Sequence, residues 1–395
     1  MSIRPHLMFA LVAFASALVA PLASAQESAP APAPSPSADH APAPAPVAAA
    51  KPEKKPVAFH GSYILFDQSV TTQTIGLGSD YQSADPVYEW WVRFAPRYYL
   101  HETKDDDLSV NAWFNLYHEF TNSDETTQKN ETVIGATSLW LQYARKIHRD
   151  GEYVTAVSVA PLRLTLPTDK ASRASGMLFG AGASAGISQS IPIQGKSAPA
   201  LESAKFGVSL IYNHPFTRAT TAVNEDLDRT RQDAAGRTFL SDQLRGGTMP
   251  NHSLNVAATA GLQITPKLSF STSYILLNSW SYRPTDATCA VQTLTGCVSV
   301  GSNPDAPNFR VNTWLLTSFD YDIVDELSLG LGYYNFTGQL GPDGQRRNPL
   351  WSPDARVFFT VTANLDAVYE RAAGGSASAS TKAALPPALV ASGAY

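Results

Sequence analysis

Charge and cysteine are scarce in this sequence. Only 16% of its 395 residues are Asp, Glu, Lys or Arg, against roughly a quarter in ordinary soluble domains. The formal charge of −5 supplies no basic footprint, so nucleic acid is not an expected partner. Cys289 and Cys297 are the two cysteines, which excludes a disulfide-rich scaffold and CxxC metal or redox chemistry. In an oxidising compartment their spacing suits one short disulfide, with free buried thiols as the alternative. The histidines show no paired ligand spacing and no Gly-rich phosphate loop is present, so neither a metal nor a cofactor is expected. Beyond Ala25 no apolar run reaches the roughly 18 residues of a spanning helix.

What is present begins with an export pattern. Arg4 supplies a positive start, Leu7 to Ala20 an apolar stretch, and Ala23-Ser24-Ala25 an A-x-A cleavage signal. Residues 1–25 are therefore expected to be a signal peptide, with a retained anchor as the alternative. Residues 26–57 are a Pro/Ala tract that cannot bury a core and is expected to be disordered and extended. As polyproline II it would reach on the order of 90 Å into a periplasm. It serves either as a passive tether or as an arm for a periplasmic partner.

From Phe59 onward the hydrophobic pattern has period two. Between Leu108 and Phe120, Leu108, Val110, Ala112, Phe114, Leu116 and Phe120 share one face. Ser109, Asn111, Trp113, Asn115, Tyr117 and Glu119 share the other. Such alternation sets one face of a strand in an apolar medium and the other in a polar one. The pattern recurs in eleven segments, near 88–101, 108–120, 131–147, 152–166, 177–191, 203–217, 252–264, 268–283, 308–323, 327–338 and 354–366. Most are a dozen residues or longer, where soluble strands average about five or six and tilted membrane strands need about nine to eleven. The connections alternate between mostly short and mostly long. With both chain ends in the periplasm the strand number must be even, so 59–67 is expected to supply a twelfth strand, or else a plug. Trp90, Phe120, Tyr212, Phe216, Trp280, Tyr282 and Phe309 fall at one set of strand ends. Tyr98, Tyr143, Tyr153, Phe319, Tyr321 and Tyr369 fall at the other, as two aromatic girdles would.

With its export signal, long alternating strands and girdles, the chain resembles Gram-negative outer-membrane β-barrels. The resemblance is architectural and covers residues 58–369. It implies an all-β, antiparallel, up-and-down transmembrane barrel in outer-membrane lipid and lipopolysaccharide, folded by the barrel assembly machinery. The Ala/Ser-rich tail 370–395, expected to be disordered, departs from the pattern of barrels that end on an aromatic of the last strand. A soluble β-sandwich is the competing fold.

Function in a barrel rests on its inward residues. The register turns Arg93, Arg97, Glu119, Arg163, Lys205, Arg310, Asp320, Asp322 and Arg356 toward the lumen. Two readings follow: a porin-like channel for small polar or charged solutes, or a lumen filled by salt-bridged side chains. Loop 218–251, with five Arg and five acidic residues, either folds into the pore or stays outside. A barrel subunit of a trans-envelope export or surface machine is the alternative function, and an adhesive barrel acting through its loops a further one. An embedded hydrolase would need a nucleophile and base in reach, and His118 and His214 both fall on the lipid-side parity. No enzyme activity is expected.

Overall fold

Alternating β-branched, aromatic and small polar residues fit a pleated strand with a different medium on each side, and they pair here into one closed sheet. The computed structural model describes residues 56–72, 74–75, 87–121, 130–150, 153–193, 201–220, 230–232, 238–240, 248–283, 291–293, 296–298, 308–338, 348–352 and 355–373. Twelve antiparallel barrel strands follow in chain order: β1 (Tyr63–Thr71), β2 (Tyr88–Ala95 and Arg97–Glu102), β3 (Asp106–Glu119), β4 (Thr132–Ile134 and Thr137–Asp150), β5 (Tyr153–Leu166), β6 (Met177–Pro192), β7 (Ser203–Thr217), β8 (Pro250–Gln263), β9 (Leu268–Ser281), β10 (Phe309–Val324), β11 (Leu327–Gly338) and β12 (Arg356–Asn364). Each strand pairs with its sequence neighbours, and β1 pairs with β12 from Tyr63↔Asn364 to Thr71↔Arg356. Closure leaves the sheet no unpaired edge. Two further hairpins, Thr230–Gln232 with Thr238–Leu240 and Val291–Thr293 with Gly296–Val298, lie within the longest connections.

Two strands are interrupted for local reasons. Pro96 has no N–H to donate and splits β2, while its carbonyl still accepts from Ala112 N at 3.0 Å. In β4 the break falls at Gly135, whose backbone passes close to Asn115. A Cβ there would lie 2.8 Å from the Asn115 Cβ.

The short connections from β2 to β3, β4 to β5, β8 to β9 and β10 to β11 share one rim with the start of β1 and the end of β12. Leu365 N donates to Ser62 O at 2.9 Å, and the Phe59 and Tyr369 rings meet at 5.3 Å. Here the structure departs from the sequence expectations. The first strand is Tyr63–Thr71, not 59–67, because Phe59 to Ser62 forms a turn in which Gly61 takes φ 74°. The last strand stops at Asn364, where 354–366 was expected, and Leu365–Ala372 forms a helix, α2. That helix buries Asp366, Ala367 and Glu370, and Arg371 Nη1 reaches Glu326 Oε1 on the β10–β11 turn at 3.1 Å. A short helix, α1 (Lys170–Ala174), sits on the other rim, capped by Asp169 Oδ1 accepting from Ser172 N at 2.6 Å. Residues 1–55 and 374–395, with the expected signal peptide, most of the Pro/Ala arm and most of the tail, lie outside the described residues.

The outer wall is an apolar belt. Ile64, Phe66, Phe94, Phe114, Val208, Leu331 and Phe359 all point outward and are exposed. Apolar surface that continuous is untenable in water but natural in lipid. Aromatic rings rim the belt, with Trp90–His118 at 5.6 Å, Phe179–Phe216 at 4.5 Å and Trp280–Phe309 at 5.0 Å on one side and Phe270–Phe319 at 4.9 Å on the other.

One connection returns over this outer wall. Outward-facing Asn335 on β11 donates from Nδ2 to Pro349 O at 2.9 Å and accepts from Ser352 Oγ at 2.6 Å. Tyr333 OH donates to Leu350 O at 2.7 Å, and Trp351 stacks on the Tyr333 ring. The strap 348–352 thereby buries an amide that would otherwise face the apolar belt.

Candidate functional site

Inward parity can be traced strand by strand. On β1, Tyr63, Leu65, Asp67, Ser69 and Thr71 are buried, while Ile64 and Phe66 are exposed. Register carries this assignment round the barrel, with Leu65 opposite Arg93, Trp140 opposite Arg163, and Lys205 opposite both Ser190 and Gly261. On this register Arg93, Arg97, Glu119, Arg163, Lys205, Arg310, Asp320, Asp322 and Arg356 all face inward. They do not gather at one point.

One group lines the seam between the first and last strands. Arg356 Nη1 on β12 forms an ion pair with Glu89 Oε1 on β2, across the intervening β1. Ser69 Oγ on β1 donates to the same carboxylate at 3.3 Å. Arg93 is buried, its guanidinium carbon 4.1 Å from the Trp91 ring centroid and 4.4 Å from that of Trp113, and its Nε donates to Asn115 Oδ1 at 2.9 Å. Arg97 Nε donates to Asn111 Oδ1 at 2.6 Å. Glu119 is fully buried and accepts from Thr121 Oγ1 at 2.7 Å.

The other charges are spread out. Arg163 on β5 lies 5.2 Å over the Trp140 ring. Lys205 lies near the terminal-side end of β7. On β10, Arg310 and the pair Asp320 and Asp322 sit at opposite ends, with Asp320 Oδ2 accepting from Ser318 Oγ at 2.9 Å.

Apolar residues also enter the lumen, which the charge-based reading of the sequence missed. Tyr63, Leu65, Ala95, Trp113, Trp140 and Ala160 form one buried cluster, with Trp91 against it. Ala257, Ile275 and Trp314 form a second, joined by Leu277, Tyr334 and Phe336. The signal was present: Trp91 and Trp113 stand on the polar parity of their strands. Between the two clusters in strand order, the inward residues of β6 and β7 are short, among them Gly180, Gly182, Ser184, Gly186, Ser188, Gly207 and Ser209. The inner wall is thus lopsided, bulky on β2–β4 and β9–β11 and short-chained on β6 and β7.

The remaining candidates do not assemble. His118 is on the outer face, with Nδ1 2.8 Å from Thr132 Oγ1, and His214 Nδ1 is 2.5 Å from Asn251 O. Among the described residues no group of three or more His, Cys, Asp or Glu could hold a metal. Cys289 lies outside the described residues, so the expected Cys289–Cys297 disulfide does too, as does most of loop 218–251.

A closed barrel of long strands, apolar outside and polar inside, with aromatic rims, decides the class. The chain has the general architecture of an outer-membrane β-barrel. No protein-family model and no curated protein matches it. Solved structures similar to it include an outer-membrane channel from Pseudomonas putida F1, at 11% identity, covering 80% of this chain and 99% of that one, with a TM-score of 0.45. The NanC porin is similar at 8% identity, covering 77% and 99%, with a TM-score of 0.33. Outer membrane phospholipase A from Escherichia coli is similar at 11% identity, covering 80% and 95%, with a TM-score of 0.33. At these scores none of them carries a functional reading.

Proposed function

We propose that the chain is an outer-membrane channel that passes small polar or charged solutes, with both chain ends in the periplasm. The observation that carries this reading is the inward wall of β6 and β7. These strands are 16 and 15 residues long, more than the nine to eleven or so needed to cross a bilayer, and their inward side chains are Gly, Ser and Lys over most of that length. Short polar side chains leave hydrated space along a wall, whereas a lumen built only for stability would fill it. The short-turn rim is assigned to the periplasm because outer-membrane barrels place their long loops outside. The purified full-length barrel in planar bilayers should show discrete single-channel conductance. Silence at every voltage would contradict the reading.

A second reading, a subunit of a trans-envelope machine, draws on the Pro/Ala composition of residues 26–57, which suits an extended arm for a periplasmic partner. Deleting 27–56 separates the two: a simple channel keeps its conductance, and an assembly subunit loses its periplasmic crosslinks.

A further inference from the structure

Charge is distributed unevenly round the inner wall. From β5 to β9 five consecutive strands contain no Asp or Glu, and their Lys and Arg are Arg163 and Lys205 alone, both inward. Every acid in the barrel strands lies on the remaining strands. Among those acids Glu89 pairs with Arg356, Asp106 with Arg145 and Glu102 with His60. Neither Arg163 nor Lys205 has a hydrogen bond or ion pair among the described residues, and the Trp140 ring is the described contact of Arg163.

The residues paired with the two cations are small. Arg163 stands opposite Gly182, and Lys205 stands opposite Ser190 and Gly261. Gly182 and Ser190 are both on β6, about 26 Å apart at ~3.3 Å per residue. Between them the inward positions of β6 are Ser184, Gly186 and Ser188, which offer hydroxyls and backbone but no charge. Asp150 at the end of β4 and Asp320 and Asp322 on β10 are the acids nearest this sector in strand order, each one strand beyond it. Trp140 holds the guanidinium of Arg163 by one face, which leaves its forked N–H edge for a bidentate oxyanion.

We propose that the β5–β9 wall is an oxyanion path, with Lys205 as its station at the terminal-side mouth and Arg163 as its station toward the other rim. This deepens the channel reading and rests on it. The solutes it fits are small organic carboxylates and phosphate-bearing molecules, which share a charged oxygen edge. A moving anion would exchange one cation for the other along a hydroxyl-lined strip, and fixed cations in a narrow lumen raise the local anion concentration.

Reversal potentials in a KCl gradient test the proposal. The wild-type channel should favour chloride over potassium, and the R163Q/K205Q double variant should lose that preference severalfold. Lys267→Gln, on a turn at the rim, should keep it. A cation-selective wild type, or selectivity unchanged in the double variant, would overturn the proposal. Total silence in the bilayer defeats the channel reading instead, and the path is then tested by chemistry. In the detergent-solubilised full-length barrel, acetylation of Lys205 by a water-soluble reagent, followed by mass spectrometry, should slow severalfold in succinate or inorganic phosphate relative to Lys267. Protection by succinate alone or phosphate alone assigns the oxyanion class. Equal rates at Lys205 and Lys267 with both anions would overturn the proposal.

Discussion

Arg356 and Glu89 are 267 positions apart in sequence and form an ion pair inside the barrel. One belongs to the last strand and the other to the second, so the pair spans the seam where the chain closes on itself. Both side chains are largely buried, at 9% and 13% exposure. Removing one partner of such a pair strands the other's charge, at a cost of about 3–5 kcal/mol. Glu89→Ala should therefore lower the urea midpoint of the folded barrel substantially. The paired replacement Glu89→Leu with Arg356→Met should recover much of the loss. A Glu89→Ala barrel as stable as wild type would show that the pair does not hold the seam.

Trp113 fills the lumen and flanks the Arg93 guanidinium. Trp113→Ala removes a buried aromatic, with an expected destabilisation of about 3–5 kcal/mol. The same change opens the filled side of the lumen, so single-channel conductance should rise. Unchanged conductance would place the solute path wholly along the opposite wall.

Gly182 has no space for a side chain. A Cβ there would collide with Tyr212 O on β7, whereas one at Gly261 would find its nearest neighbour at 3.7 Å, in ordinary contact. Gly182→Ala should reduce the folded fraction on heat-modifiable gel mobility, while Gly261→Ala should be neutral. Equal behaviour of the two would contradict the β6–β7 approach described here.

Asn335 holds the strap 348–352 against the outer wall. Asn335→Leu leaves the Pro349 carbonyl and the Ser352 hydroxyl without their partner, costing about 1–3 kcal/mol if they stay buried. The strap should instead detach. Chymotrypsin added to the detergent-solubilised barrel should then cut after Trp351 faster than in wild type, with the barrel itself still folded.

The barrel was legible in the sequence because period two survives over whole strands. Val208 and Leu210 alternate with Gly207 and Ser209, and the two media outside and inside the wall require that alternation. The errors fall at strand ends, where parity stops carrying information. Phe59, Gly61 and Tyr63 continue the alternation on paper, yet Gly61 turns the chain. Val361, Ala363 and Leu365 also continue it, and the helix begins at Leu365 nonetheless. Parity also names the medium a residue faces without saying how full that medium is. Trp113, Trp140 and Trp314 stand on the inward face like their polar neighbours, and only packing shows that they gather into clusters. The ion pair of Glu89 with Arg356 was out of reach for a different reason: closure of the barrel brings them together, and neither residue's surroundings in sequence signals it.

The account stands or falls on two media, lipid outside β7 and water within. Single cysteines placed along 205–213 in a Cys289→Ser, Cys297→Ser background, spin-labelled in outer-membrane lipid, measure it directly. Positions 206, 208, 210 and 212 should respond to lipid-soluble oxygen, and positions 205, 207, 209 and 213 to a water-soluble nickel chelate. Uniform response along the strand, or the opposite alternation, would contradict the account.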